Sequence, residues 1–198
     1  MSMAASTLTL WVVCGCEPSG APRAVPPSVD PQTAAAEAIR WYDSDRDGRL
    51  SQTELKACPG IQTVRDRYDT DGDGQVTQEE VVARLEHLYS QSVGLLAVTC
   101  AVTHRGRPLA GAEVRFIPEP FLGDAVETAV AITDASGAAA PSIPADKLPP
   151  QLAKLWMMQV GIYRVEIEHP SLSAAERKPL GFEVDPTGRD GTTARFDL

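Results

Sequence analysis

The stretch "DSDRDGRLSQTE", Asp43 to Glu54, sets acidic side chains at every second position, follows them with a glycine and closes on a glutamate. The same residue types return at the same steps in "DTDGDGQVTQEE", Asp69 to Glu80. Carboxylates this close repel one another, so a chain that collects them suggests a function such as holding a cation. One such stretch reads equally well as a solvated turn. Two in register point to a repeated cation site.

Oxygen donors at these steps suit a hard cation, and the pattern resembles the calcium loop of the EF hand, which implies the ligand roles that follow. Calcium is hard and takes roughly six to eight oxygens, and a loop of about twelve residues wraps it when side chains at the first, third and fifth positions point inward. Asp43, Asp45 and Asp47 meet that need in the first loop, and Asp69, Asp71 and Asp73 in the second. Gly48 and Gly74 fall where the sharp turn needs a backbone without a Cβ. Arg49 and Gln75 at the seventh position offer backbone carbonyls, and Ser51 and Thr77 at the ninth act through a water. Glu54 and Glu80 close each shell with both oxygens, while Leu50 and Val76 point into the core and pair the loops. The expectation is two Ca2+ sites.

The flanking sequence is helical on the outer sides. In "DPQTAAAEAIRWY", Asp30 caps, Pro31 suits the first helical position, and Ala35, Ala38, Ile39 and Tyr42 share one face. After the second loop, Val81, Val82, Leu85, Leu88 and Tyr89 recur at helical spacing. Only fourteen residues (55–68) separate the loops, and "CPG" at Cys58 to Gly60 breaks them into short pieces. The layout of helix, loop, turn, loop, helix over residues 31–91 resembles an EF-hand pair, the calcium-binding helix-loop-helix family. Its close spacing is similar to the abbreviated dockerin-like modules, whose inner helices are cut short. That resemblance, with no methionine-rich face to expose, implies a structural or buffering site rather than a switch.

The chain has 198 residues, a net charge of −9, 43% apolar and 23% charged residues, which suits a folded protein and excludes wholesale disorder. No basic patch with interleaved aromatics occurs, which argues against a nucleic-acid partner. Residues 1–16 hold a short apolar run, Leu8 to Val13, then small residues, the shape of a secretory signal. "VCGC", Val13 to Cys16, resembles the lipobox of bacterial lipoproteins, which implies cleavage before Cys16 and a diacylglyceryl group on its sulfur. No Lys or Arg precedes the apolar run, so a chain without a signal is the rival reading. Residues 17–30 are rich in Pro, Ser and Gly and read as an extended spacer. The expected location is therefore exported and anchored to a membrane through Cys16. Cys58 and Cys100 make no metal motif and read as small buried apolar residues, a disulfide being the alternative in an oxidising compartment.

From residue 94 to 198 the period shifts to two. Leu96, Val98, Cys100 and Val102 alternate with smaller or polar residues, and Tyr163, Val165 and Ile167 stand opposite Arg164, Glu166 and Glu168. Further strands read from Ala112 to Ile117, Thr128 to Thr133, Gly181 to Asp185 and Thr193 to Leu198, between turn signals such as "RGRP", "DASG" and "DPTGRDG". This predicts an antiparallel β-sandwich, with one short helix at its edge carrying Leu152, Leu155 and Trp156. Gly106, Pro108, Gly111, Ala112, Asp134, Gly137, Gly161 and Tyr163 resemble the marks of the carboxypeptidase regulatory-like family, a transthyretin-like sandwich. That resemblance implies a stalk or adhesion module and no chemistry.

His87, His104 and His169 sit at no ligand spacing, no Gly-x-Ser-x-Gly elbow occurs, and no phosphate loop follows a strand. An enzyme is not the expectation. The chain is thus expected to be α+β and multidomain, an EF-hand pair plus an antiparallel transthyretin-like sandwich, binding calcium in a structural role. The rival readings are a calcium-dependent module that grips a surface protein or glycan through exposed aromatics, with Phe121 and Trp156 as candidates, and a cryptic hydrolase.

Overall fold

The computed structural model describes residues 24–188 and 192–198. The signal reading at residues 1–16, with Cys16, and the first part of the spacer lie outside the described residues. Residues 24–30 carry no helix or strand.

The N-terminal half follows its local signals. Asp30 accepts the Thr33 amide at 2.9 Å and Pro31 opens helix α1, Pro31–Tyr42, which buries Ala34, Ala35 and Ala38. The first loop contains strand β1, Arg49–Leu50. Between the loops stand only short pieces: a 3-10 turn at Glu54–Ala57, helix α2 at Pro59–Thr63, and a second 3-10 turn at Arg65–Arg67. The second loop contains β2, Val76–Thr77, which pairs antiparallel with β1 through Leu50 and Val76. Helix α3, Gln78–Ser90, starts on a capping box between Thr77 and Glu80 and buries Val81, Val82, Leu85 and Leu88.

The C-terminal half is built of sheets. Its strands are β3 Leu95–Leu96, β4 Thr99–His104, β5 Arg107–Pro108, β6 Glu113–Pro118, β7 Ala129–Ile132, β8 Ala138–Ala139, β9 Met158–Gln159, β10 Gly161–Glu168, β11 Leu180–Val184 and β12 Thr193–Asp197. One antiparallel sheet runs in the order β11-β10-β6-β7. In the other, β4 lies between β12 and β5 and also pairs with β8. Their apolar faces meet where the Phe116 and Phe196 rings stand 6.1 Å apart. Alternation holds along β10, where Tyr163, Val165 and Ile167 are buried.

Three expectations are corrected. Strand β12 pairs parallel with β4, Ala194 beside Cys100 and Phe196 beside Val102. A tight hairpin forces its two strands antiparallel, but β4 and β12 are far apart in sequence, so packing sets their direction. No helix forms at Leu152 to Trp156. Consecutive prolines at 149 and 150 withdraw amide donors, and the segment keeps turns such as Leu155 N to Leu152 O at 2.8 Å. Trp156 is 69% exposed, whereas Phe121 is buried, edge-on to Tyr42 at 6.3 Å.

Both cysteines among the described residues, Cys58 and Cys100, are buried and unpaired. The two halves share one continuous core, in which α2 lies on β10 and β11. Gly181 and Gly60 permit that approach: a Cβ on Gly181 would overlap the Pro59 carbonyl, and one on Gly60 would come 2.6 Å from Ile162 Cγ2.

Candidate metal centre

Both loops are built by one local rule, in which aspartates fold the backbone around their own carboxylates. The first-position aspartate accepts the amide of the sixth residue: Gly48 N to Asp43 Oδ2 at 2.9 Å, and Gly74 N to Asp69 Oδ2 at 3.0 Å. The third accepts from the fifth, Asp47 N to Asp45 Oδ1 at 3.2 Å and Asp73 N to Asp71 Oδ1 at 3.0 Å. The fifth accepts from the seventh, Arg49 N to Asp47 Oδ1 at 2.9 Å and Gln75 N to Asp73 Oδ1 at 2.8 Å. As a result, one oxygen from each of Asp43, Asp45 and Asp47 lies within 4.8 Å of the others, and the same holds for Asp69, Asp71 and Asp73.

The turn needs left-handed backbone. Gly48 and Gly74 have φ of +85° and +87°, where a side chain would be strained. The fourth position is left-handed too, as Gly72 in the second loop but Arg46, at +64°, in the first. A non-glycine residue there costs on the order of 1 kcal/mol, so the first loop is the more strained of the two.

The closing glutamates stand outside the aspartate triads. Glu54 Oε1 accepts from the Ser44 amide at 2.8 Å and its hydroxyl at 2.9 Å, and Oε2 accepts from the Ser51 amide and hydroxyl. Glu80 repeats the pattern with Thr70 and Thr77. Each glutamate thus ties the second position of its loop to the ninth, the nearest free donors at the start of the following turn. The ninth-position hydroxyls, read from sequence as working through water, are engaged by these carboxylates. The hydroxyls of Ser44 and Thr70 were missed in the sequence reading, although "DSD" and "DTD" repeat them.

Electrostatics separates these carboxylates. The Asp47 amide holds the Asp45 carboxyl down, but desolvation and the charges of Asp47, Glu54 and Asp43 outweigh it and leave that carboxyl above its ordinary 3.8. Glu54 is drawn down to about 2, chiefly by the Ser51 amide against some burial, with the Ser51 hydroxyl and Ser44 adding to it. Burial acts to raise Glu80, yet the Thr77 and Thr70 donors together leave it lowered. Negative charge therefore crowds on Asp45 in the first triad, while Glu54 and Glu80 hold the loops in shape.

One atom tests whether a cation fits. Asp69 Oδ1 is buried with no hydrogen-bond partner. Its counterpart Asp43 Oδ1 accepts the Arg46 amide at 2.6 Å. A buried carboxylate oxygen without a donor is costly, and a hard cation bound by the triad would satisfy it.

Residues 37–59 and 66–83 match the family model of the EF hand. The two loops are an EF-hand pair. The pair binds calcium, and its acidic triads at Asp43, Asp45, Asp47 and at Asp69, Asp71, Asp73 are consistent with two sites. No curated protein matches the chain. The β-rich remainder lies outside the EF-hand match.

Proposed function

We propose that this EF-hand protein is a non-catalytic, exported and lipid-anchored surface protein in which calcium serves a structural role. The observation that carries the reading is the fate of the inner segment between the loops. In an EF-hand sensor, calcium opens a helix pair and exposes an apolar groove. Here the inner pieces are a turn, a five-residue helix and a second turn. Their apolar residues Leu55, Cys58 and Ile61 are fully buried, α2 against the sheet. No long inner helix stands ready to swing out, so bound calcium would rigidify a frame already closed. The anchor reading rests on the apolar run and on Cys16 after "VCG", with the Pro-rich residues 17–30 as spacer.

The test is calcium titration of residues 17–198 by calorimetry, beside a variant carrying Glu54→Gln and Glu80→Gln, with melting in calcium and in chelator. Two sites in the parent, none in the variant, and a melting gain without new binding of an apolar dye support the structural role. Dye binding induced by calcium would overturn it in favour of a sensor. Metabolic labelling with a fatty acid, lost on Cys16→Ser, tests the anchor.

A second reading has an observation of its own. Val130, Ile132 and Trp156 line a surface groove of about 780 Å³ beside β7 and β8. Ile132 and Trp156 are both 69% exposed. An exposed tryptophan beside a sheet edge suits a sugar ring or an extended peptide, which would make the β half a protein- or glycan-binding module. Binding to a glycan array that disappears in Trp156→Ala would favour it over a purely structural role.

A further inference from the structure

Each calcium loop is bracketed by one buried glutamate of the β half. Tyr42 immediately precedes Asp43, and its hydroxyl donates to Glu119 Oε2 at 2.8 Å. Glu119 Oε1 accepts the Gly60 amide at 3.0 Å, from the segment that leaves the first loop after Glu54. Tyr68 immediately precedes Asp69, and its hydroxyl donates to Glu183 Oε2 at 3.1 Å. Glu183 also receives the Arg84 guanidinium, Nε to Oε2 at 3.1 Å, from the turn of α3 that follows Glu80. Both glutamates are shut off from solvent, at 0% and 2% exposure. They flank one residue of β10: the Glu119 amide donates to the Ile162 carbonyl at 2.9 Å, and Glu183 lies opposite Ile162 across the β10–β11 pair. The internal repeat of the loops thus meets a matching pair of acceptors on either side of a single strand.

A tyrosine beside the first ligand has no polar partner within its own loop, and its bond crosses to the sheet. The crossing ties the start of each loop to the sheet, at the second loop together with Arg67, 2.8 Å from Glu183 Oε1, while the Gly60 and Arg84 bonds tie the segment that follows each loop to the same glutamate. We propose that Glu119 and Glu183 are positioning residues for the first and second calcium loop respectively, so that calcium binding at each loop and docking of the helices on the sheets reinforce one another. The inference rests on the calcium reading of the loops. By linkage, whatever pre-forms a site raises its affinity, and the ion in turn strengthens the docking contact.

The experiment uses the full chain and calcium chloride alone, titrated by calorimetry, with single-site backgrounds to separate the loops. In Glu54→Gln, where only the second loop can close, Tyr68→Phe weakens calcium by about threefold to tenfold, the loss expected for one hydrogen bond to a charged acceptor. Tyr42→Phe in that background changes it by less than about twofold. In Glu80→Gln the two tyrosine variants exchange roles. Each phenylalanine keeps its ring packing, and melting in chelator checks that the variants fold. A purely structural bond would lower the melting temperature equally in chelator and in calcium and leave each affinity untouched. If the parent binds two calcium ions and both tyrosine variants bind as the parent does, or weaken both loops alike, the inference is overturned while the calcium reading stands. If the parent binds none, both fall together.

Discussion

The Arg49 guanidinium lies 2.8 Å from Asp73 Oδ2, so the seventh position of the first loop places a positive charge on the fifth position of the second. The pair is partly exposed on both sides, which limits it to about 0.2–1 kcal/mol. It nonetheless competes with a cation for the charge of a triad carboxylate. Arg49→Gln is therefore expected to raise the calcium affinity of the second loop by about twofold to fivefold. Calorimetric titration at low and at high salt checks this, because the gain should shrink as salt screens the charge. An unchanged or lowered affinity would show that Arg49 aids the loop instead.

Arg84 carries a heavier load. Its side chain is 10% exposed and bonds both Glu183 and Asp185, with Asp185 Oδ2 at 2.7 Å. Arg67 joins the same pair of carboxylates, 2.8 Å from Glu183. Removing the central cation leaves two buried carboxylates to the partly exposed Arg67, so Arg84→Met should cost about 3 kcal/mol in denaturant unfolding, the low end for a broken buried pair. Arg67→Met, whose side chain is 32% exposed, should cost far less.

The docking of α2 rests on a missing side chain. Gly181 on β11 faces the Pro59 carbonyl so closely that a Cβ has no room. Gly181→Ala should separate α2 from the sheet and destabilise the chain by about 3 kcal/mol or more, since backbone cannot yield as a side chain can. Gly106→Ala is the control. No atom lies near its Cβ position, and only its φ of +72° opposes the change, for roughly 1 kcal/mol. Equal losses in thermal melting would contradict the packing argument.

Acid should loosen the same junction. Burial acts to raise the Asp185 carboxyl, but the Thr187 hydroxyl and amide and the Arg84 guanidinium outweigh it and hold the group at about 2, below its ordinary 3.8. A depressed folded value contributes stability that is present above the unfolded value and lost as pH falls toward the folded one. The window is therefore about pH 4 to 2, with a contribution on the order of 1–2 kcal/mol. Chelator-treated protein melted across that range should show a shallower decline in Asp185→Asn than in the parent.

The site was legible at the level of residue types because a calcium loop is local: the spacing of Asp43, Asp45 and Asp47 and the glycine after them lie within one turn of chain. Leu50 and Val76 were readable as the joint between loops for the same reason, and β1 and β2 pair through them. The alternation of Tyr163, Val165 and Ile167 announced a half-buried strand, and Asp30 with Pro31 announced where α1 begins. What local pattern could not carry was direction and partnership. The parallel pairing of β12 with β4 depends on a core assembled from strands far apart in sequence. Nothing in their local sequence sets Glu119 and Glu183 apart, yet each is buried where a tyrosine donor, and for Glu183 also Arg84 and Arg67, arrives from the other half. By itself, then, the sequence determined two acidic loops, the helices that flank them and the strand periods, all set by interactions a few residues long. Only the tertiary structure decided that both loops are anchored to one β-strand neighbourhood, since burying a charge is tolerable only where its partners meet it in space.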